Sequence, residues 1–189
     1  MAEVPVRRPQ RADARRNFDA LLTAARTVFA TAGTDASLEE IARQAGVGIG
    51  TLYRNFPTRQ DLFEAVYVEE INQLSRAASA VAALPPWEAL TTWLDRFVEY
   101  VATKRAIIEA LNRESAMFAA CRATMYEAGE PLLERAQQAG EVRADANFDD
   151  VLRLVSGLMS ATFVDDDQRK RVLGLALDGL RARVPQRLS

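Results

Sequence analysis

Residues Ser37 to Phe56 read SLEEIARQAGVGIGTLYRNF, and this stretch decides the fold. Ser37 opens a helix, because its hydroxyl can accept a bond from an unsatisfied first-turn amide. Glu40, three residues on, completes the spacing of a capping box. Leu38, Ile41, Ala42 and Ala45 then recur at helical spacing, and Gly46 ends the run. A second, short helix is expected from about Ile49 to Asn55, with Leu52 and Phe56 pointing inward. Ala42 is small enough for the two helices to cross closely, and Val47 plugs the corner. A capped helix, a glycine turn and a second short helix make a helix-turn-helix, the arrangement that presents its second helix to the major groove of DNA.

The second helix carries the chemistry such a docking needs. Gly48 and Gly50 let the backbone approach a duplex, and Thr51, Tyr53, Arg54 and Asn55 supply polar groups. A helical hairpin inside an ordinary bundle would show the same turn. Against that stands a polar outer face, Tyr53-Arg54-Asn55, with no apolar partner nearby. Thr51 and Tyr53 are read as phosphate-positioning groups. Base reading is then left to Ile49, which offers a thymine methyl an apolar contact, to Gly50 by close approach, and to Arg54, for which a guanine edge and a phosphate remain equally open. Arg15 and Arg16, together with Arg11, look like an arm reaching along the backbone or into a minor groove. Ser37, Arg43 and Arg59 complete the expected DNA-contact set. For Arg43, a phosphate contact and an ion pair with Glu39 both remain open.

Outward from this segment the periodicity is helical nearly everywhere and strand patterns are absent, which predicts an all-α fold. Phe18, Leu21, Leu22, Ala25, Val28 and Phe29 form one face of a first helix, with Gly33 just past its end. Pro57 ends the third helix, and Thr58 with Asp61 caps a long fourth one running to Leu84, before Pro85-Pro86. Further helices are expected over Trp87–Thr103, Arg105–Arg113, Met117–Ala139, Asn147–Phe163 and Asp166–Arg183. The chain thus divides into a DNA-binding unit, residues 1–60, and a helical bundle, residues 61–189. The helix of about residues 58–84 connects them.

Composition narrows the function. The 189 residues are 49% hydrophobic and 26% charged, too apolar for a disordered chain. There is no histidine, and Cys121 is the single cysteine, which argues against zinc sites, serine or cysteine triads and a disulfide framework. No nucleophile or acid–base constellation is visible, so an enzyme is not expected, and neither is a cofactor or a metal. Asp165-Asp166-Asp167 reads as acids at a helix start rather than a cation site. No apolar run approaches the ~20 residues of a membrane span, and no signal peptide is visible, so a cytoplasmic protein is expected. The net charge of −2 hides an asymmetry. Residues 1–60 hold nine arginines against six acids, whereas the rest holds 15 basic groups against 20 acidic ones. On charge alone, a polyanion-binding head and a merely solubilising terminus remain equally open.

The stretch Leu21–Val66, LLTAARTVFATAGTDASLEEIARQAGVGIGTLYRNFPTRQDLFEAV, closely resembles the DNA-binding domain of the TetR (tetracycline repressor) family. Gly50-Thr51-Leu52-Tyr53, Phe56-Pro57-Thr58-Arg59 and Leu62-Phe63 carry the resemblance. It differs at Gly48, where Ser or Thr often stands, at Arg54-Asn55, where aromatic residues or His are frequent, and at Arg59, in place of a Lys. The resemblance implies a dimeric regulator, more often a repressor, that binds palindromic operator DNA and carries a ligand-binding carboxy-terminal domain. Trp87, Trp93, Phe97, Met117, Phe118, Tyr126, Met159 and Phe163 are the candidates to line a cavity for a small apolar or aromatic effector. The last two helices carry Val151, Leu154, Val155, Leu158 and Thr162, then Val172, Leu173, Ala176, Leu177 and Leu180. These stripes are too wide for the outermost helices of a monomer and are read as a four-helix homodimer interface. The competing function is a helical binding or scaffolding protein that touches nucleic acid only incidentally.

Overall fold

Eight α-helices follow one another in the computed structural model, which describes residues 3–5, 8–108, 111 and 114–182, without the side chains of Thr34 and Ala106. They are α1 (Ala12–Ala32), α2 (Leu38–Gln44), α3 (Ile49–Asn55), α4 (Arg59–Ala80), α5 (Pro86–Ile107), α6 (Ala116–Gln138), α7 (Phe148–Met159) and α8 (Asp166–Asp178). Among the described residues no strand forms, only one isolated antiparallel bridge between Val142 and Arg181. The fold is all-α. None of the described helices is long and apolar enough to cross a membrane.

The chain gathers into two compact units, Ala2–Gln73 with Ala102–Thr124, and Leu74–Val101 with Met125–Ser189. In the first, Phe18, Leu21, Leu22, Ala25, Val28 and Phe29 of α1 are all buried, as their spacing predicts. Phe18 packs on Phe56 with ring centroids 4.9 Å apart, and Phe29 packs on Phe63 at 4.6 Å. Gly33 takes φ 57 after α1 and Gly46 takes φ 68 after α2, conformations that would strain any residue with a Cβ. An ion pair of 3.2 Å joins Arg26 of α1 to the buried Glu70 of α4.

In the second unit Trp93 of α5 is fully buried and donates its indole N–H to the Leu74 carbonyl at 3.0 Å. Its ring meets Phe97 at 5.8 Å and Phe148 of α7 at 5.7 Å. Arg135 of α6 closes the turn after α4 by donating to the carbonyls of Ala82 (2.5 Å) and Leu84 (2.8 Å), which would otherwise be orphaned at a helix end. Asn147 and Asp150 form a reciprocal capping box at the start of α7. Asp165 caps α8 by accepting from the Gln168 amide at 2.7 Å, so the acid run is a helix start.

Several expected boundaries move. The fourth helix ends at Ala80 rather than Leu84, because Val81–Leu84 tighten into a turn ahead of the prolines. Pro86 begins α5 instead of merely breaking the chain; a first-turn proline loses no helical bond. Helix α5 then runs through Thr103–Arg105 without a break, since nothing there disrupts it and Lys104 and Arg105 suit the negative end of the helix dipole. Most of the remaining expected helix over Arg105–Arg113 lies outside the described residues. Helix α7 stops at Met159, not Phe163, and α8 at Asp178; Arg183 lies outside the described residues. The box at α2 forms only by half. Ser37 Oγ accepts from the Glu40 amide, but the Glu40 carboxylate turns to Gln44 and to the Arg43 guanidinium, whose charge-assisted bonds are stronger than one from the Ser37 backbone amide.

Gly129 of α6 generates a prediction. A Cβ there would lie 2.3 Å from Phe148 Cζ and 2.6 Å from Trp93 Cη2, in an aromatic cluster with no room to yield. In an open helix, Gly→Ala stabilises by about 0.5–1 kcal/mol. Here overpacking, at about 1–3 kcal/mol, outweighs that gain. Gly129→Ala should therefore lower Tm in thermal unfolding; a raised Tm would show that the cluster is loose.

Candidate nucleic-acid interface

The interface is built on α2 and α3. Their corner is set by Gly46 and closed by the Val47 amide, which donates to the Ala42 carbonyl at 3.0 Å. Below α3, Leu52 and Phe56 are buried. Above it, Ile49 is 38% and Tyr53 47% exposed, two large side chains that this chain leaves partly uncovered. Gly48 is the N-cap of α3, in extended backbone and without a side-chain cap. A Cβ placed on Gly48 or Gly50 would meet nothing within 4 Å. The chain's own packing therefore gives no reason for glycine at either place, whereas a surface pressed against the outside would.

The arginines of this face are largely held. Arg54 donates from Nε to the Gly50 carbonyl (3.1 Å) and from Nη2 to Thr51 Oγ1 (3.0 Å), while Asn55 donates to the Thr51 carbonyl (2.8 Å). Thr51 thus accepts from Arg54, which leaves its own hydroxyl proton available to an outside acceptor. Arg43 pairs with Glu40, not with Glu39, through two bonds of 2.7 and 2.6 Å. Held by Arg43 first and Gln44 second, the Glu40 carboxyl drops to about 2. It stays ionised through the physiological range, and the clasp persists with it. Ser37 spends its hydroxyl on α2, donating to Glu39 at 2.8 Å and accepting from the Glu40 amide. The Glu39 carboxyl is held below its usual value by its backbone bond, by Ser37 and by the charge of Arg59.

Arg15 and Arg16 do not form an arm. Both lie inside the first turns of α1, where Arg16 pairs with Asp13 at 2.7 Å and Arg15 is exposed. The segment before them folds onto α4. Val4 exchanges two bonds, 2.8 and 2.9 Å, with the buried amide of Asn72, and Arg8 pairs with Glu69 at 2.6 Å and Asp19 at 3.4 Å. Arg7 lies outside the described residues. Arg59 donates to the buried carbonyl of Ala36 and covers the ring of Phe63.

The eight candidate cavity residues do not come together as one set. Trp93 and Phe97 are buried core, and Trp87 lies under the Arg181 guanidinium at 4.1 Å. Tyr126 is half-buried, with its hydroxyl donating to Asp149 at 2.6 Å, and Met159 and Phe163 are half-buried. These six belong to the second unit. In the first unit, Phe118 stacks on Tyr67 at 5.2 Å. Met117 lines an open pocket of about 680 Å³ with Phe18, Arg54, Phe56 and Val68. Of the ten candidate interface residues, Val151, Val155, Leu173, Leu177 and Leu180 are buried within the chain itself. Leu154, Leu158, Thr162, Val172 and Ala176 are half-buried or exposed. Leu175, 73% exposed, extends this outer face. Cys121 is buried, and burial pushes its thiol up to about 12, out of reach of redox sensing.

The family model for "Bacterial regulatory proteins, tetR family" matches residues 21–66, and that for "Transcriptional regulator SbtR-like, C-terminal domain" matches residues 85–182. The chain belongs to the TetR family. A TetR transcriptional regulator of Streptomyces coelicolor is 40% identical, aligned over 88% of this chain and 99% of that one, with a TM-score of 0.76. Another from Mycobacterium vanbaalenii is 34% identical over 92% and 99%, with a TM-score of 0.70. A ketosteroid transcriptional regulator of Mycobacterium tuberculosis, 17% identical over 97% and 100% with a TM-score of 0.60, shares the fold. No curated protein matches the chain. As a TetR family member the protein is a DNA-binding transcriptional regulator, and α2 and α3 form its helix-turn-helix.

Gly50 separates folding from DNA approach. Gly50→Ala adds a methyl into open space, so Tm should stay level or rise, by up to about 1 kcal/mol of stability. Operator affinity should fall about tenfold, the cost of moving a close backbone approach outward. Titration of a selected operator checks this; unchanged affinity would mean that the duplex does not approach Gly50.

Proposed function

We propose that the protein is a ligand-responsive repressor that binds a palindromic operator as a homodimer in the cytoplasm, each subunit laying α3 into a major groove. The exposed outer face of α3, Ile49 and Tyr53 beside two unconstrained glycines, carries this reading. Thr51 and Tyr53 position α3 on phosphates, Ile49, Gly50 and Arg54 read bases, and Arg15, Arg16, Arg43 and Asn55 contribute at the rim. Residues 1–60 form the DNA-binding domain, and residues 61–189 hold the effector and the dimer contact. Dimerisation follows from reach: one helix of seven residues reads few base pairs, and two half-sites related by a twofold axis double them.

The dimer face we infer is the outer side of α7 and α8, centred on Leu154, Leu158, Val172, Ala176 and Leu175. The effector is apolar or aromatic, since the second unit offers rings (Trp87, Tyr126, Phe163) and no histidine. It acts by binding one spacing of the recognition helices better than the other; equal affinity for both would change nothing.

Footprinting of a selected operator in rising salt tests the reading. A symmetric protected site that survives moderate salt is expected. Sequence-independent binding that fades steeply with salt would return the protein to an incidental nucleic-acid binder. Sedimentation at micromolar concentration should give a dimer. Leu175→Arg and Leu158→Arg should each yield a folded monomer with weakened operator binding, because a charge buried without a partner is costly. A dimer that tolerates both would place the interface elsewhere.

A further inference from the structure

We propose that Arg59 is a positioning residue that ties the start of α4 to the start of α2 and so fixes the attitude at which α3 is offered to DNA. The proposal rests on the reading that α3 meets the duplex. Arg59 Nη2 donates to the Ala36 carbonyl at 2.5 Å across 23 residues of sequence. Ala36 is 1% exposed, so that carbonyl is shielded from water and would otherwise lack this charge-assisted partner. It belongs to the residue just before Ser37, the N-cap of α2.

The same guanidinium lies 5.4 Å from the centroid of Phe63, whose ring packs on Phe29 of α1 at 4.6 Å. One cation thereby bears on α1, α2 and α4 together. A planar guanidinium can donate in its plane to a carbonyl while its face covers a ring; an ammonium has no face to do both. The bonds of Arg43 and Arg54, in contrast, stay within their own helices. Arg59 is thus built into the frame that joins the starts of α2 and α4.

Arg59→Lys and Arg59→Gln, titrated against a selected operator over a salt series, test this. With Arg59 as a tie, both variants bind about tenfold more weakly at every salt concentration, the effect of losing one bond to a charged group. The slope of log affinity against log salt stays at the wild-type value, and hydrogen exchange quickens at the amides of residues 37–41 while α1 and α4 keep their protection. A slope lowered by about one in Arg59→Gln, with wild-type affinity in Arg59→Lys, would make Arg59 a phosphate ligand and overturn the proposal. Unchanged affinity in both variants would overturn it too, as would exchange quickened throughout the chain, which marks a residue of general stability. Arg59→Lys retains the charge and most of the stem, and so keeps the test open should Arg59→Gln fold poorly. Were the wild-type protein unable to select an operator, the DNA-binding reading would fail, while the exchange pattern would still judge the tie.

Discussion

Leu52 and Phe56 hold α3 down, with the Phe56 ring against Phe18 at 4.9 Å, and the functional face depends on that anchorage. Seven residues make about two turns, and a helix of that length does not persist alone in water. Burying two such side chains contributes about 1.5–3 kcal/mol each. That is enough to hold a short helix whose upper side gives nothing to the core. The opposite face can then be spent on Ile49, Tyr53 and two glycines that do not stabilise the chain.

Charge counted along the chain differs from charge available at the surface. The basic excess of residues 1–60 leaves an electrostatic footprint and a solubilising terminus equally open in sequence, yet much of that charge is committed internally. Arg8 and Arg26 hold acids of α4, Arg43 holds Glu40, and Arg59 holds a carbonyl. Such bonds lower the entropy these side chains have left to lose, so those that do meet phosphate arrive partly ordered. They also shrink the long-range attraction for a polyanion, which shifts the work of recognition toward shape and close contact.

What could be read from the sequence was local. The helix periods, the Gly46 turn, and the caps at Ser37 and Thr58 depend on residues three or four apart, and the structure has them in place. The half-formed box at α2 was also local, but deciding it needed a comparison of strengths: Arg43 outbids an amide for Glu40. Long-range partners left no trace in spacing. Nothing near residue 59 points to Ala36, and nothing near Asn72 points to Val4. The same limit applies to the α7 and α8 stripes. Their apolar residues are visible in sequence, but which of them the chain buries by itself (Leu177) and which it leaves out (Leu175) depends on how the other helices of the second unit cover them.

The central claim is that α3 is a preformed reading surface whose few outward groups select bases. A base-substitution scan of the selected operator with the wild type, Ile49→Ala and Arg54→Ala addresses it most directly. Ile49→Ala should erase the preference for thymine at one position in each half-site and leave the others intact. Arg54→Ala should relax a second, separate position. Uniform weakening at every base pair in both variants, with all preferences kept, would contradict the account and move sequence reading away from α3.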